Sequence, residues 1–142
     1  MSREEIVALF TRRDEAWRRH DAAALSSSHA PDAIGESPMS GKLVGRDSIR
    51  EIYEKWFTAF PDLTMKTDEL IIDGNRVVRF FTLTGTQAAT FGGLPPTGRK
   101  INITGAWLYI LDDAGQISHD RRVYDVTNML VQLGALRTKP AN

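Results

Sequence analysis

The chain has 142 residues, with 18 Lys plus Arg against 18 Asp plus Glu, three His and no Cys. Zero formal charge and a pI near 6.8 provide no long-range attraction for a phosphate backbone or an anionic bilayer, which argues against nucleic acid and membrane as partners. The missing cysteines remove disulfides, thiolate metal sites and cysteine nucleophiles together. The length suits one domain, residues 1–142, able to bury roughly 68 to 70% of its unfolded surface and hold a hollow without a metal or disulfide staple.

Ser2 followed by Glu5 reads as a capping box, and Ile6, Leu9, Phe10, Ala16 and Trp17 recur at helical spacing, predicting a first helix over about Arg3 to Arg19. This start is amphipathic and lacks the apolar stretch of a secretory leader, so the expected compartment is the cytoplasm. Asp21 can cap a short second helix from Ala22 to Ser28, after which Pro31, Gly35, Pro38 and Gly41 are expected to break regular structure. A third helix over about Arg46 to Ala59 carries the apolar stripe Ile49, Ile52, Tyr53, Trp56 and Phe57, and Pro61 ends it.

The period then changes from 3.6 to 2. Leu63 to Ile72, Arg76 to Gln87, Arg99 to Leu111 and Gln116 to Val126 each read as strands, with hairpin turns at Asp73-Gly74-Asn75 and Asp112 to Gly115. A last short helix covers about Thr127 to Leu133, Gly134 can close it, and the tail from about 137 to 142 is expected to fray. Helices first and antiparallel strands afterwards is an α+β plan in which a curved sheet wraps around the N-terminal helices and leaves a conical hollow.

The segment Gly35 to Leu43 has the wrong spacing for a phosphate loop, and His20, His29 and His119 are too scattered for a metal site, with His20 and His29 expected at the surface. The informative stretch is Gln116 to Asp125. Regular alternation puts His119, Arg121, Val123 and Asp125 on one face and Ser118, Asp120, Arg122 and Tyr124 on the other. If the first face looks into the hollow, a His, an Arg and an Asp are gathered among apolar walls, where acid/base chemistry can be housed. Two readings of Asp125 stay open, proton carrier or N-cap of the last helix. His119 and Arg121 read equally as an ion pair or a solvated face, and Trp17, Tyr53 and Trp56 as pocket walls or plain core.

The run Phe91-Gly92-Gly93-Leu94-Pro95-Pro96-Thr97-Gly98, the segment Phe60-Pro61-Asp62-Leu63, Trp17 to Asp21, and Leu130 to Gly134 after Asp125 together resemble the SnoaL-like polyketide cyclases, or ester cyclases, of the nuclear transport factor 2-like superfamily. The resemblance implies a cone-shaped, cystatin-like α+β barrel, a homodimer, a small-molecule pocket and no metal or cofactor. It also implies that Asp125 serves as acid/base for an intramolecular aldol closure or a related isomerisation of a carbonyl compound, with His119 and Gln87 polarising the substrate. Gln87 stands where such proteins carry His, and Arg121 where they carry an apolar wall, which implies an anionic ligand bound by Arg121 among Trp17, Tyr53 and Trp56. Two other readings follow from the same fold: a binding module without catalysis, and epoxide hydrolysis of the limonene type with an Arg and carboxylates orienting water.

Overall fold

A computed structural model describes residues 1–137; the tail expected to fray lies almost entirely outside the described residues. Helix α1 spans Arg3–Arg18 and α2 Ala22–Ser27. The capping box forms as the sequence dictates: the Glu5 amide donates to Ser2 Oγ, and the Ser2 amide to Glu5 Oε2. Asp21 caps α2 through the Ala24 amide. Strands β1 (His29–Ser37) and β2 (Gly41–Val44) follow, then α3 (Arg46–Ala59), β3 (Thr64–Asp73), β4 (Arg76–Thr86), β5 (Lys100–Leu111), β6 (Ile117–Tyr124) and α4 (Val126–Gln132).

The six strands form one curved sheet in the order β2-β1-β6-β5-β4-β3. It stays open, with β2 and β3 at its edges, where a barrel was expected. All neighbours are antiparallel except β1 and β6. The expected break across Pro31 to Gly41 is instead the β1–β2 hairpin. The register of β1 against β6 shifts between His29 and Ile34, so Pro31, which has no N–H to give, falls in a stretch outside the regular ladder.

Helices α1 and α3 lay Ile6, Phe10, Trp17, Ile49, Tyr53 and Trp56 over inward side chains such as Phe81, Leu83, Ile103 and Trp107 in a single core. Curvature is helped by Gly105, where a Cβ would meet the Val123 carbonyl oxygen at 2.4 Å and the Phe81 ring at 2.7 Å, so only glycine lets the strands close up there. No described helix is long and apolar enough to cross a membrane.

Candidate active site

The inward face of β6 is set by a bulge. β5 and β6 pair Ile110 with His119 but Leu111 with Ile117, leaving Ser118 as an extra residue. One extra residue reverses the alternation, so Ile117 points into the core and, beyond the bulge, Asp120 does too, with relative exposures of 0% and 4%. The face expected to line the hollow, His119, Arg121, Val123 and Asp125, therefore turns outward, and Asp120, Arg122 and Tyr124 take its place.

Asp120 sits opposite Gly35 of β1 and Tyr109 of β5. Its Oδ2 lies 2.8 Å from His29 Nε2, and its Oδ1 accepts a hydrogen bond from Trp107 Nε1 at 3.0 Å. His29 is wholly enclosed, its Nδ1 3.3 Å from the Leu25 carbonyl, and Arg46 of α3 grips its backbone oxygen from the other side. Burial, the largest influence on Asp120, pushes its pKa up. The His29 hydrogen bond, the Arg122 charge and the Trp107 N–H outweigh it and hold the carboxyl below its ordinary range. Burial pushes His29 down, against the pull of Asp120 and with help from Arg13. The imidazole is thus held between two acceptors, the Leu25 carbonyl and the Asp120 carboxyl.

Tyr53 is fixed behind this pair. Its hydroxyl accepts from Arg13 Nη2 at 2.9 Å, and Arg13 Nη1 donates to the Leu25 carbonyl and to Ser28 Oγ. Trp17 packs edge-on against Tyr53, Phe57 and Trp107. Arg122 lays its guanidinium 4.4 Å above the Trp107 ring, a cation–π contact.

Near the pair are two spaces that share Leu43 and Ile52 in their linings. The upper chamber, about 530 Å3, is walled by Met39, Leu43, Ile52, Trp56 and Phe91, a size and lining suited to a small organic molecule. The floor compartment shares Leu43 and Ile52 with it, is lined by Tyr53, Trp107, Asp120 and Arg122, and has a volume of about 10 Å3, about the room one water needs. From one face of α3, Ile49 and Tyr53 reach the floor, Trp56 the chamber and Ile52 both, because they recur at three- and four-residue steps.

The residues singled out in the sequence are dispersed by the fold. Asp125 is exposed, and its Oδ1 caps α4 by accepting from the Asn128 amide at 2.9 Å. His119 bonds Glu36 on the outside of the sheet, and Arg121 is exposed. Gln87 is buried but fully occupied: Nε2 donates to the carbonyls of Ala89, Leu94 and Pro95, and Oε1 accepts from Thr97. It ties the Pro-rich loop down over the chamber. Tyr53 lines the floor, Trp56 the chamber, and Trp17 belongs to the core.

The structure adds Asp120, His29 and Arg122 to the site. Asp120 and Arg122 were legible as the alternative face of β6. His29 was expected at the surface and is buried because it opens β1, directly against Ile117 of β6. His20 is also engaged, with Nε2 2.7 Å from the Leu63 carbonyl and its ring stacked on Phe57. Among the described residues, no group of three or more His, Asp and Glu side chains converges as metal ligands.

A family model described as SnoaL-like polyketide cyclase matches residues 7–133. Among solved structures, AclR of Streptomyces galilaeus, a candidate hydroxylase, is similar with TM-score 0.84 and 26% identity, over 98% of this chain and 91% of that one. IdmH of Streptomyces antibioticus, a candidate polyketide cyclase, has TM-score 0.75 and 26% identity, over 90% and 97%. A nuclear transport factor 2-like protein of Burkholderia pseudomallei has TM-score 0.76 and 19% identity, over 89% and 95%, a likeness of fold. No curated protein matches the chain by sequence.

Proposed function

The chain belongs to the SnoaL-like polyketide cyclase family, and from that premise we propose a cofactor-independent enzyme that moves a proton on a carbonyl compound held in the upper chamber. The observation that carries this reading is the Asp120 carboxylate, buried, held by His29 and Trp107, and bordering a small compartment that shares Leu43 and Ile52 with the chamber. Asp120 is the proton acceptor and donor. His29 is a positioning residue that fixes which way the carboxylate faces.

A carboxylate with a depressed pKa is a weak base, so the substrate's C–H must be acidified by neighbouring carbonyls, as in a 1,3-dicarbonyl. With the proton removed, the chamber's aromatic walls supply the remaining requirement, holding the enolate against its electrophile so that ring closure or isomerisation becomes unimolecular. For the acidified carbon to reach Asp120, Leu43 and Ile52, which line both spaces, have to move apart, because the compartment beside Asp120 holds only about 10 Å3.

The test is exchange of the α-hydrogens of ethyl acetoacetate in deuterium oxide, followed by proton NMR. Wild type is expected to accelerate exchange and Asp120→Asn to lose that acceleration while retaining its fold by circular dichroism. An Asp120→Asn protein that exchanges at the wild-type rate overturns the assignment. The small floor compartment favours one alternative, a binding module whose ligand stays in the chamber. That reading requires saturable binding in both proteins and acceleration in neither.

The same proposal includes a homodimer. Ile71 and Phe80, at 45% and 41% exposure, lie on the outer face of β3 and β4, an apolar surface that a second copy would cover. Sedimentation that finds only a 15.9 kDa species contradicts it.

A further inference from the structure

Arg122 is a wall between two spaces. On one side is the floor compartment with Asp120; on the other is an open notch of about 500 Å3 at the corner of β1, β2 and β6, which it shares with Glu36, Ser37, Gly41, Lys42 and Arg121. The notch gathers three cations against one carboxylate, and that carboxylate, Glu36, is already bonded to His119 at 2.9 Å. Cross-strand pairing fixes the arrangement: Glu36 lies opposite Lys42 on β2 and opposite Arg121 on β6.

Among the described residues, the Arg122 side chain has no hydrogen-bond or ion-pair partner. No described carboxylate lies within ion-pair distance of it, and its Nε is buried without a hydrogen bond. The buried arginines Arg13 and Arg79 also leave Nε unbonded, but their terminal nitrogens have acceptors: Arg13 holds a carbonyl and two hydroxyls, and Arg79 holds Asp14 and Tyr109. A guanidinium presents five donors in a planar fork, and one that is half-buried, oriented by stacking and left without acceptors is matched to an incoming oxyanion.

We propose that this notch is an oxyanion site, in which Arg122 makes the bidentate contact and Lys42 and Arg121 flank it. The ligand is a compact anion, a carboxylate or a phosphate, standing free or as the terminal group of a larger molecule. The notch opens on the far side of Arg122 from Asp120, although Arg122 borders both spaces.

Trp107 beneath the guanidinium provides a readout. Inorganic phosphate and acetate are titrated separately into the full chain, with ionic strength held constant by chloride, and tryptophan fluorescence is followed. A saturable change with either anion and not with chloride is expected, and the preferred anion identifies the tetrahedral or planar class. Arg122→Gln is expected to weaken that binding about tenfold or more, the loss of a charge-assisted pair of bonds, and Lys42→Gln by a few-fold.

No saturable change with either anion overturns the proposal, as does equal affinity in Arg122→Gln. Should Arg122→Gln fail to fold by circular dichroism, Arg122→Lys keeps the charge and loses the fork; several-fold weaker binding then supports the site and unchanged affinity overturns it. Deuterium exchange by Asp120 is measured in parallel with neither anion present, so failure of the notch and failure of the acid/base assignment give separate results.

Discussion

Two ionic clusters lie under the same sheet, on successive inward positions of β5. Around Tyr109, Arg79 donates to Asp14 Oδ1 at 3.0 Å and to the Tyr109 hydroxyl at 2.6 Å, with Phe10, Trp107 and Tyr109 rings packed about its guanidinium. Around Trp107, Asp120 is held by His29 and the indole, and the carboxylate borders a compartment. Both clusters bury charge, which is costly unless it is paired. The Arg79 cluster satisfies its charge with protein groups and locks α1 onto β4. The Asp120 cluster is bonded at both carboxylate oxygens and still borders the small compartment.

The sharpest way to break this contrast is to remove each charge and compare the losses. Asp120→Asn should lower α-proton exchange by about 10²- to 10⁴-fold, the usual worth of a positioned base, with the chamber still able to bind. Arg79→Met should leave exchange per folded molecule unchanged but lower stability by about 3 kcal/mol, because the Tyr109 hydroxyl and Asp14 lose their partner. Urea denaturation of both variants checks it. A large exchange defect in Arg79→Met would show that the two clusters work as one unit.

How far the sequence alone leads can be judged at particular residues. The helices follow from capping and apolar spacing, so Ser2, Asp21 and the α3 stripe were placed correctly. The reading failed at β6, where Ile117 and Val123 share a parity that points to His119 and Arg121 as inward. The bulge at Ser118 reverses that parity, and a bulge depends on how the partner strand is paired, which local alternation does not encode. The hairpin before α3 was missed for a related reason: Pro31 and the glycines signal interruption, and pairing with β6 on one side and β2 on the other turns the segment into a strand. Gln87 shows a third kind of difference. It was singled out as a polar group facing the substrate, and the structure turns both its Nε2 and its Oε1 to the loop from Ala89 to Thr97.

Acid and alkali separate the clusters in the next test. The pKa of His29 is lowered on folding from about 6.5. The unfolded chain therefore takes up a proton first, and stability is present above that value and lost as pH falls from about 6.5 toward the folded pKa. The slope is at most about 1.4 kcal/mol per pH unit. Asp120, depressed as well, adds a second loss at lower pH, as its carboxylate is protonated. Tyr109 has the opposite sign: burial, opposed by Arg79 and Arg13, pushes its hydroxyl up from 10.0 to about 12. Between those values the unfolded phenol ionises and the folded one does not, so stability falls as pH rises through that window. Denaturation curves across pH should show an acid loss that His29→Asn flattens and an alkaline loss that Tyr109→Phe flattens. If either substitution flattens the opposite limb, the clusters are coupled.

The smallest effect concerns Asp125, which the family resemblance marks as the proton carrier and the fold uses as a cap. Its Oδ1 takes the Asn128 amide in the first turn of α4, and that helix packs its Met129 into the core. Asp125→Ala should therefore cost about 1 kcal/mol, the usual worth of an N-cap, and Asp125→Asn, which retains an accepting oxygen, only a fraction of that. Neither should alter exchange when measured on folded protein, because the side chain is exposed and lies outside the compartment that Asp120 borders. Retained exchange in Asp125→Asn together with loss in Asp120→Asn places the chemistry five residues upstream of the expected position. The reverse result would require β6 to pair in the other register during turnover, moving His119, Arg121 and Asp125 inward at the expense of the His29 contact.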